Sequence, residues 1–180
     1  MTFTPVENRS GIQPIAQSNA ALPSQYQTGQ SPFFGQAHPL GTIVKAYDPT
    51  FGEGEFIYLL GVANTLVGSL VTWDATTFQT ALATNTANQD VPVAVAMSAN
   101  LAGQYGWYQI GGLAQILKTA VTVNPQVSLF MSGTNGRVKV LASAGRQILG
   151  CKSANLSTVT STTSLITALI NRPFLQGQIT

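Results

Sequence analysis

The stretch QYGWYQIGGLAQILKTAVTVNPQVSLFMSGTNGRVKV, residues 104–140, decides the fold class. Apolar runs of strand length alternate in it with turns rich in glycine and asparagine. Bulky residues crowd positions 105–110, around Trp107 and Tyr108, and Gly111-Gly112 then reads as the end of that strand. A second run covers 113–123 until Asn124-Pro125, where proline removes a ladder donor and confines the break to a turn or an edge. Residues 127–131 resume, and Asn135-Gly136 supplies the two positive-φ positions of a tight hairpin turn before Arg137-Val138-Lys139-Val140. In that last piece basic and apolar residues alternate, which predicts one wet face and one buried face. The stretch predicts the centre of an all-β domain and contains no catalytic motif.

Composition widens the reading. Charged residues make up 8% of the 180, against roughly 25% in ordinary soluble domains. A surface so poor in charge is either dominated by Ser, Thr, Asn, Gln and Gly or covered by other subunits, and the second fits better because charge is what keeps sheets from associating. All six carboxylates (Glu7, Asp48, Glu53, Glu55, Asp74, Asp90) lie in the first half, whereas Lys118, Arg137, Lys139, Arg146, Lys152 and Arg172 occupy a second half without any acid. Arg137 and Lys139 suit a solvated strand face or an oppositely charged neighbour. Six bases dispersed over that half form no dense patch, so direct nucleic-acid binding is not expected. No apolar run reaches the length of a membrane span, and the start has neither the basic nor the apolar region of a secretory signal. The chain is expected to be made in the cytoplasm and to stay soluble or assemble, with no membrane partner.

Residues 1–40 differ from the rest. They hold five of the nine prolines, with Pro5, Pro14, Pro23 and Pro32 spaced nine apart. Composition allows a disordered tail. However, Ile12, Ile15, Leu22, Tyr26, Phe33 and Phe34 recur at intervals that a solvating tail does not need, which favours an extended arm able to reach on the order of 130 Å along a partner. His38-Pro39-Leu40-Gly41 reads as the junction, and 41–180 as the β domain. In that domain GTIVKAY (41–47), GEFIYLLGV (54–62), GSLVTW (68–73) and VPVAVAM (91–97) are strands. The second, carrying Phe56 and Tyr58, is apolar enough to be buried on both faces or to sit at a subunit contact. Residues 75–89 suit a short helix or an irregular loop, 147–151 a short strand, and 156–170 one or two closing strands ended by Asn171-Arg172-Pro173-Phe174. The turns at 63–68 and 99–103 resemble a repeated hairpin unit.

The inventory for chemistry is thin. A nucleophile–base pair would have to join Cys151 to His38, the only cysteine and the only histidine. Glu53 and Glu55 share a strand face but have no further metal ligands nearby, so neither metal nor cofactor is expected. Paired carboxylates for sugar hydrolysis are the one enzymatic arrangement the inventory still allows. Tyr105, Trp107 and Tyr108 are able to stack a sugar or a base, although strand aromatics belong more often to a core or an interface.

The order of pieces, GTIVKAYD, GEFIYLLGVANTLVGSLVTWD, VPVAVAMSANLAGQYGWYQIGG and GTNGRVKV, resembles small head-decoration, or cement, proteins of tailed bacteriophages over residues 41–150. The resemblance implies a small β-barrel or β-sandwich of the β-tulip kind that trimerises or dimerises on the outer capsid surface, often with an extended terminal arm. It brings no catalytic residues. The chain is therefore expected to be a non-enzymatic virion protein at the capsid surface, with the major capsid protein and itself, as a homotrimer or else a dimer, as partners. Its interface candidates are Ile12, Ile15, Leu22, Tyr26, Phe33, Phe34, Phe56, Tyr58, Tyr105, Trp107, Tyr108, Arg137 and Lys139. The alternative is a carbohydrate- or receptor-binding virion protein of a tail or head fibre.

Overall fold

A computed structural model describes residues 1–6, 15–17 and 36–178. Among them twelve strands and no helix occur: β1 (Thr2–Pro5), β2 (Ile15–Ala16), β3 (Ile43–Asp48), β4 (Gly52–Leu60), β5 (Leu70–Trp73), β6 (Thr80–Leu82), β7 (Val93–Ala96), β8 (Tyr105–Leu117), β9 (Ser128–Met131), β10 (Val138–Lys139), β11 (Gln147–Ser153) and β12 (Leu165–Leu175). The fold is all-β, as the sequence predicts. Of the two architectures foreseen, the closed barrel is not formed: the strands make one open antiparallel sheet, ordered β10-β9-β11-β12-β8-β4-β3-β1-β2, with β7, β5 and β6 branching from β8. Leu60 and Gln79 join by an isolated bridge, too little to close the sheet.

The trunk is β8. Its first half pairs with β4 from Tyr105↔Leu60 to Gly111↔Glu55, and its second half pairs with β12 from Gly111↔Asn171 to Leu117↔Leu165. The predicted break at Gly111-Gly112 is a bend within one strand of 13 residues. Gly112 takes a φ of 90°, and a Cβ there would collide with the carbonyl oxygen of Glu53, so only glycine fits. The buried Gln109 brackets the bend, its Nε2 donating to the carbonyls of Gly111 and Leu113 at 2.9 Å each. One long strand thereby serves two differently oriented wings.

In the β9–β12 wing, alternate residues (Leu129, Met131, Val138, Ile148, Cys151, Ile166, Ala168, Ile170) point inward onto Leu70, Val93 and Val95. In the β3–β7 wing β4 from Phe56 to Leu59 and β8 from Gly106 to Ile110 are buried on both faces, while β3 is buried on one. Val44, Phe56, Tyr58 and Trp107 belong to one cluster, and Ile57, Leu59, Val71, Tyr108 and Ile110 to another on the opposite face. Period-2 alternation separates the two clusters along β4 and β8.

Three local expectations are corrected. First, β9 and β10 do form the predicted hairpin, with Met131↔Val138 and Phe130↔Lys139 paired, but the connection is longer than two residues. Arg137 N–H donates to the Thr134 carbonyl at 3.2 Å, and Gly136 (φ 72°) is the left-handed residue of that turn, as in a type II turn rather than the double left-handed Asn-Gly turn. Second, Asn171-Arg172-Pro173-Phe174 lies inside β12, since the pairing with β11 resumes at Leu149↔Phe174 after an irregularity that accommodates the proline. The preceding 154–164 segment is loop and turn. Third, residues 75–89 hold the short strand β6 and no helix.

The first residues of the expected arm lie against the body. β1 pairs with β3 through Thr4↔Tyr47 and Pro5↔Ala46, and β2 pairs with β1 through Phe3↔Ile15. Phe3 and Ile15 are buried with Phe56 in the body's own core. Ile12, Leu22, Tyr26, Phe33 and Phe34, expected along the arm, lie outside the described residues.

Candidate functional site

Two faces of the β3–β7 wing carry most of the residues singled out from sequence. The first bears Tyr58 on β4 and Trp107 on β8, with ring centroids 5.1 Å apart, and Tyr105 stacks on Tyr58 at 6.1 Å. His38 closes over them at 5.2 Å from Tyr58 and 5.4 Å from Trp107. Half-burial on that apolar surface lowers the pKa of His38, because desolvation disfavours the imidazolium. Ala37 N–H donates to the Tyr58 hydroxyl at 3.3 Å. Further along, Phe3 meets Phe56 edge-on at 4.8 Å. A Cβ on Gly54 would lie 2.9 Å from the Phe56 ring and 3.1 Å from the Phe3 ring, so glycine makes room for the pair. This aromatic face is lidded by the chain's own N-terminal strand and junction.

The lid has an electrostatic latch. Thr2 N–H donates to Asp48 Oδ2 at 2.9 Å, and Thr50 and Phe51 N–H donate to Oδ1 at 2.8 and 3.0 Å. Burial pushes the Asp48 carboxyl up, but the three N–H groups together with the N-terminal ammonium outweigh it, so the net direction is down.

The opposite face of β3 and β4 is open. Register places Ile43, Lys45 and Tyr47 beside Ile57, Glu55 and Glu53. Lys45 pairs with Glu53 at 3.1 Å. Arg172 clamps Glu55 through Nη2–Oε1 at 2.8 Å and Nε–Oε2 at 3.0 Å, and this hydrogen bonding lowers the Glu55 pKa. Arg172 adopts φ 40° to reach it, an unfavourable backbone for a residue before proline. Beside the clamp an apolar groove of about 220 Å3 is lined by Ile43, Ile57, Trp73, Pro92, Ile110 and Pro173, among others.

The chemical candidates are not assembled. Cys151 is buried in the β9–β12 core and its thiol is pushed up to about 12 by desolvation, whereas His38 packs against the aromatic cluster of the other wing. A thiolate is thus disfavoured and has no base beside it. Asp74 caps its own turn, accepting from Thr76 and Thr77. Among the described residues no group of three His, Cys, Asp or Glu is placed to hold a metal ion.

Of the interface candidates, Ile15, Phe56, Tyr58, Trp107 and Tyr108 are buried within the chain, Trp107 at 7% exposure and Tyr108 at 0%. Tyr108 takes part in a polar network: Asn100 Nδ2 donates to its hydroxyl at 2.6 Å, and Ser98 Oγ donates to Asn100 Oδ1 at 3.0 Å. Burial raises its pKa, with the hydrogen bonds to Asn100 and Thr80 acting in the other direction. Tyr105 remains half-exposed. Arg137 turns back, its Nη1 donating to the Lys118 carbonyl at 3.0 Å, while Lys139 stays on the outer strand face.

Sequence reasoning missed Arg172, taken for a terminator, and Lys118, which is 1% exposed. The Lys118 ammonium donates to the carbonyls of Val121, Thr160 and Thr119 at 2.8, 2.9 and 3.4 Å, tying two loops together. Its only sequence signal is a basic residue at the end of an apolar run, and such signals are common. No family model and no curated protein matches this chain.

Proposed function

We propose that the chain is a structural virion protein that binds the outer surface of a tailed-phage capsid, associates with copies of itself and cements the major capsid subunits. The supporting observation is how the described carboxylates are committed. Asp48 and Asp74 cap backbone, and Glu53 and Glu55 are ion-paired. Paired carboxylates for hydrolysis would need two acids free to meet a substrate, and Asp90 alone is outside these commitments. What the molecule offers is broad sheet surface carrying exposed apolar side chains such as Leu169 and Phe174, the kind of surface that marks an interaction site. The carbohydrate-binding alternative is weakened because Trp107 and Tyr108 have no free ring face for a sugar.

The test is co-sedimentation of the purified chain with undecorated shells of the cognate major capsid protein. Saturable binding that raises the melting temperature of the shells is expected. Absence of binding at micromolar concentration, or glycan-array binding lost in Tyr105→Ala, would count against the cementing role.

A further inference from the structure

The outer face of the β9–β12 wing displays apolar residues that belong to none of the core clusters of the described residues. Cross-strand register fixes what it displays. Lys139 pairs with Phe130, and Phe130 with Gln147. Lys152 pairs with Ser128 on one side and Leu169 on the other, and Leu149 pairs with Phe174. Leu169 in turn faces Leu113 on β8. Each of these residues alternates with a core residue, so all lie on the solvent side. Leu169 and Phe174 are each 42% exposed, and Phe130, Leu149 and Leu113 are half-buried beside them. The result is two apolar groups on one face, Phe130 with Leu149 and Phe174, and Leu169 with Leu113, with Lys139 beside the first and Lys152 beside the second.

The charge of this face is one-sided. Nothing beyond Asp90 in the chain is acidic, and the carboxylate at the margin, Glu55, is already neutralised by the Arg172 fork. Arg146, one residue before Gln147, is turned away from this face and donates to the Asn85 carbonyl at 2.9 Å and to Ser143 Oγ at 3.0 Å. Among the described residues Lys152 makes one long side-chain contact, 3.4 Å, to Gln126 Oε1. A second copy stacked face to face by a two-fold axis would set one acid-free, lysine-bearing face against another, so self-association through this face is disfavoured. Two strand lysines separated by leucines and phenylalanines also lack the density that phosphate backbones require.

We propose that this face docks an acidic protein surface bearing apolar side chains, and that on the capsid reading above it is the side that meets the major capsid protein. Self-association then uses other surfaces.

The experiment compares the full chain with three variants, Lys139→Glu/Lys152→Glu, Leu169→Ser/Phe174→Ser and Tyr47→Ser, in co-sedimentation with undecorated cognate shells. Circular dichroism and melting first establish that each is folded. Both variants of the β9–β12 face are expected to weaken binding by about tenfold or more, and the lysine pair is expected also to flatten the salt dependence. Tyr47→Ser, on the β3 face, is expected to bind as the unaltered chain does. If the unaltered chain binds and both variants of this face bind equally well, the assignment of the face is overturned while the cementing role stands. If the unaltered chain does not bind shells, both readings fall. Salt-sensitive binding to double-stranded DNA lost in the lysine variant would reassign the face to nucleic acid and overturn the protein partner.

Discussion

The two halves of β8 belong to one strand and live in opposite surroundings. From Gly106 to Ile110 every residue is buried, whereas from Leu113 to Ile116 burial follows the pleat, with Ala114 and Ile116 inside and Leu113 and Gln115 half-exposed. The first half has a core on each face because the N-terminal strand and the His38 junction close over Trp107 and Tyr58. The second half has one core, and its other face is left to solvent. A covered face makes its aromatics structural, and an uncovered one leaves its apolar side chains available to a partner.

The sharpest way to break that contrast is to truncate one residue from each half. Tyr108→Ala should cost about 3–5 kcal/mol, since it opens a cavity in a fully buried site and strands the Asn100 amide. Leu113→Ala should cost under about 1 kcal/mol, as expected of a half-exposed position. Denaturant midpoints with unchanged slope measure both, and equal losses would mean that the second half is as covered as the first.

Much of this contrast can be read in advance, and part of it cannot. The unbroken apolar run of Phe56-Ile57-Tyr58-Leu59 signals a strand buried on both faces, and the alternation of Arg137-Val138-Lys139 signals one buried on a single face; both are observed. What covers the first half is a matter of long-range pairing. Phe3 finds Phe56 across fifty residues of chain, and no local pattern encodes that partner. Gly111-Gly112 misleads because glycine marks strand ends and bends alike; only the approach of the Glu53 carbonyl decides between them. Arg172 misleads because it precedes a proline, and the bulge that keeps it in β12 depends on the pairing with β11. The open face was legible only as scattered Leu and Phe residues until register put them side by side.

The bend that joins the halves is the next target. Gly112→Ala should destabilise by about 2–3 kcal/mol, because a left-handed backbone and a carbonyl collision are imposed together. Thermal unfolding reads this, and an unchanged melting temperature would show that β8 straightens without penalty. A smaller effect, about 1–2 kcal/mol, is expected from Gly136→Val. There a β-branched residue is strained at φ 72° and meets Leu82 at 3.1 Å from its Cβ. Gly133→Val, with open space around its Cβ and no positive φ, is the matched control and should stay within about 0.5 kcal/mol.

The smallest global effect, and the one most specific to the covered half, concerns the Asp48 latch. Its folded-state pKa lies below the ordinary value, so its contribution to stability is fully present above the unfolded carboxylate range of about 4 and is lost as pH falls through the folded value. Glu55 is shifted in the same direction by Arg172, and global acid stability therefore sums the two. The separation lies in location. Asp48 holds Thr2 and with it Phe3 over the aromatic face, so its protonation should release the lid before the rest of the sheet unfolds. Trp107 fluorescence in a Trp73→Phe background should report increased solvent exposure below about pH 4, ahead of the loss of the strand signal. Asp48→Asn keeps one neutral acceptor; it should cost about 1 kcal/mol at neutral pH and remove the early Trp107 transition. If Trp107 instead reports exposure only together with global unfolding, and does so in both proteins, then the N-terminal strand is not a separable lid and the two halves of β8 differ for another reason.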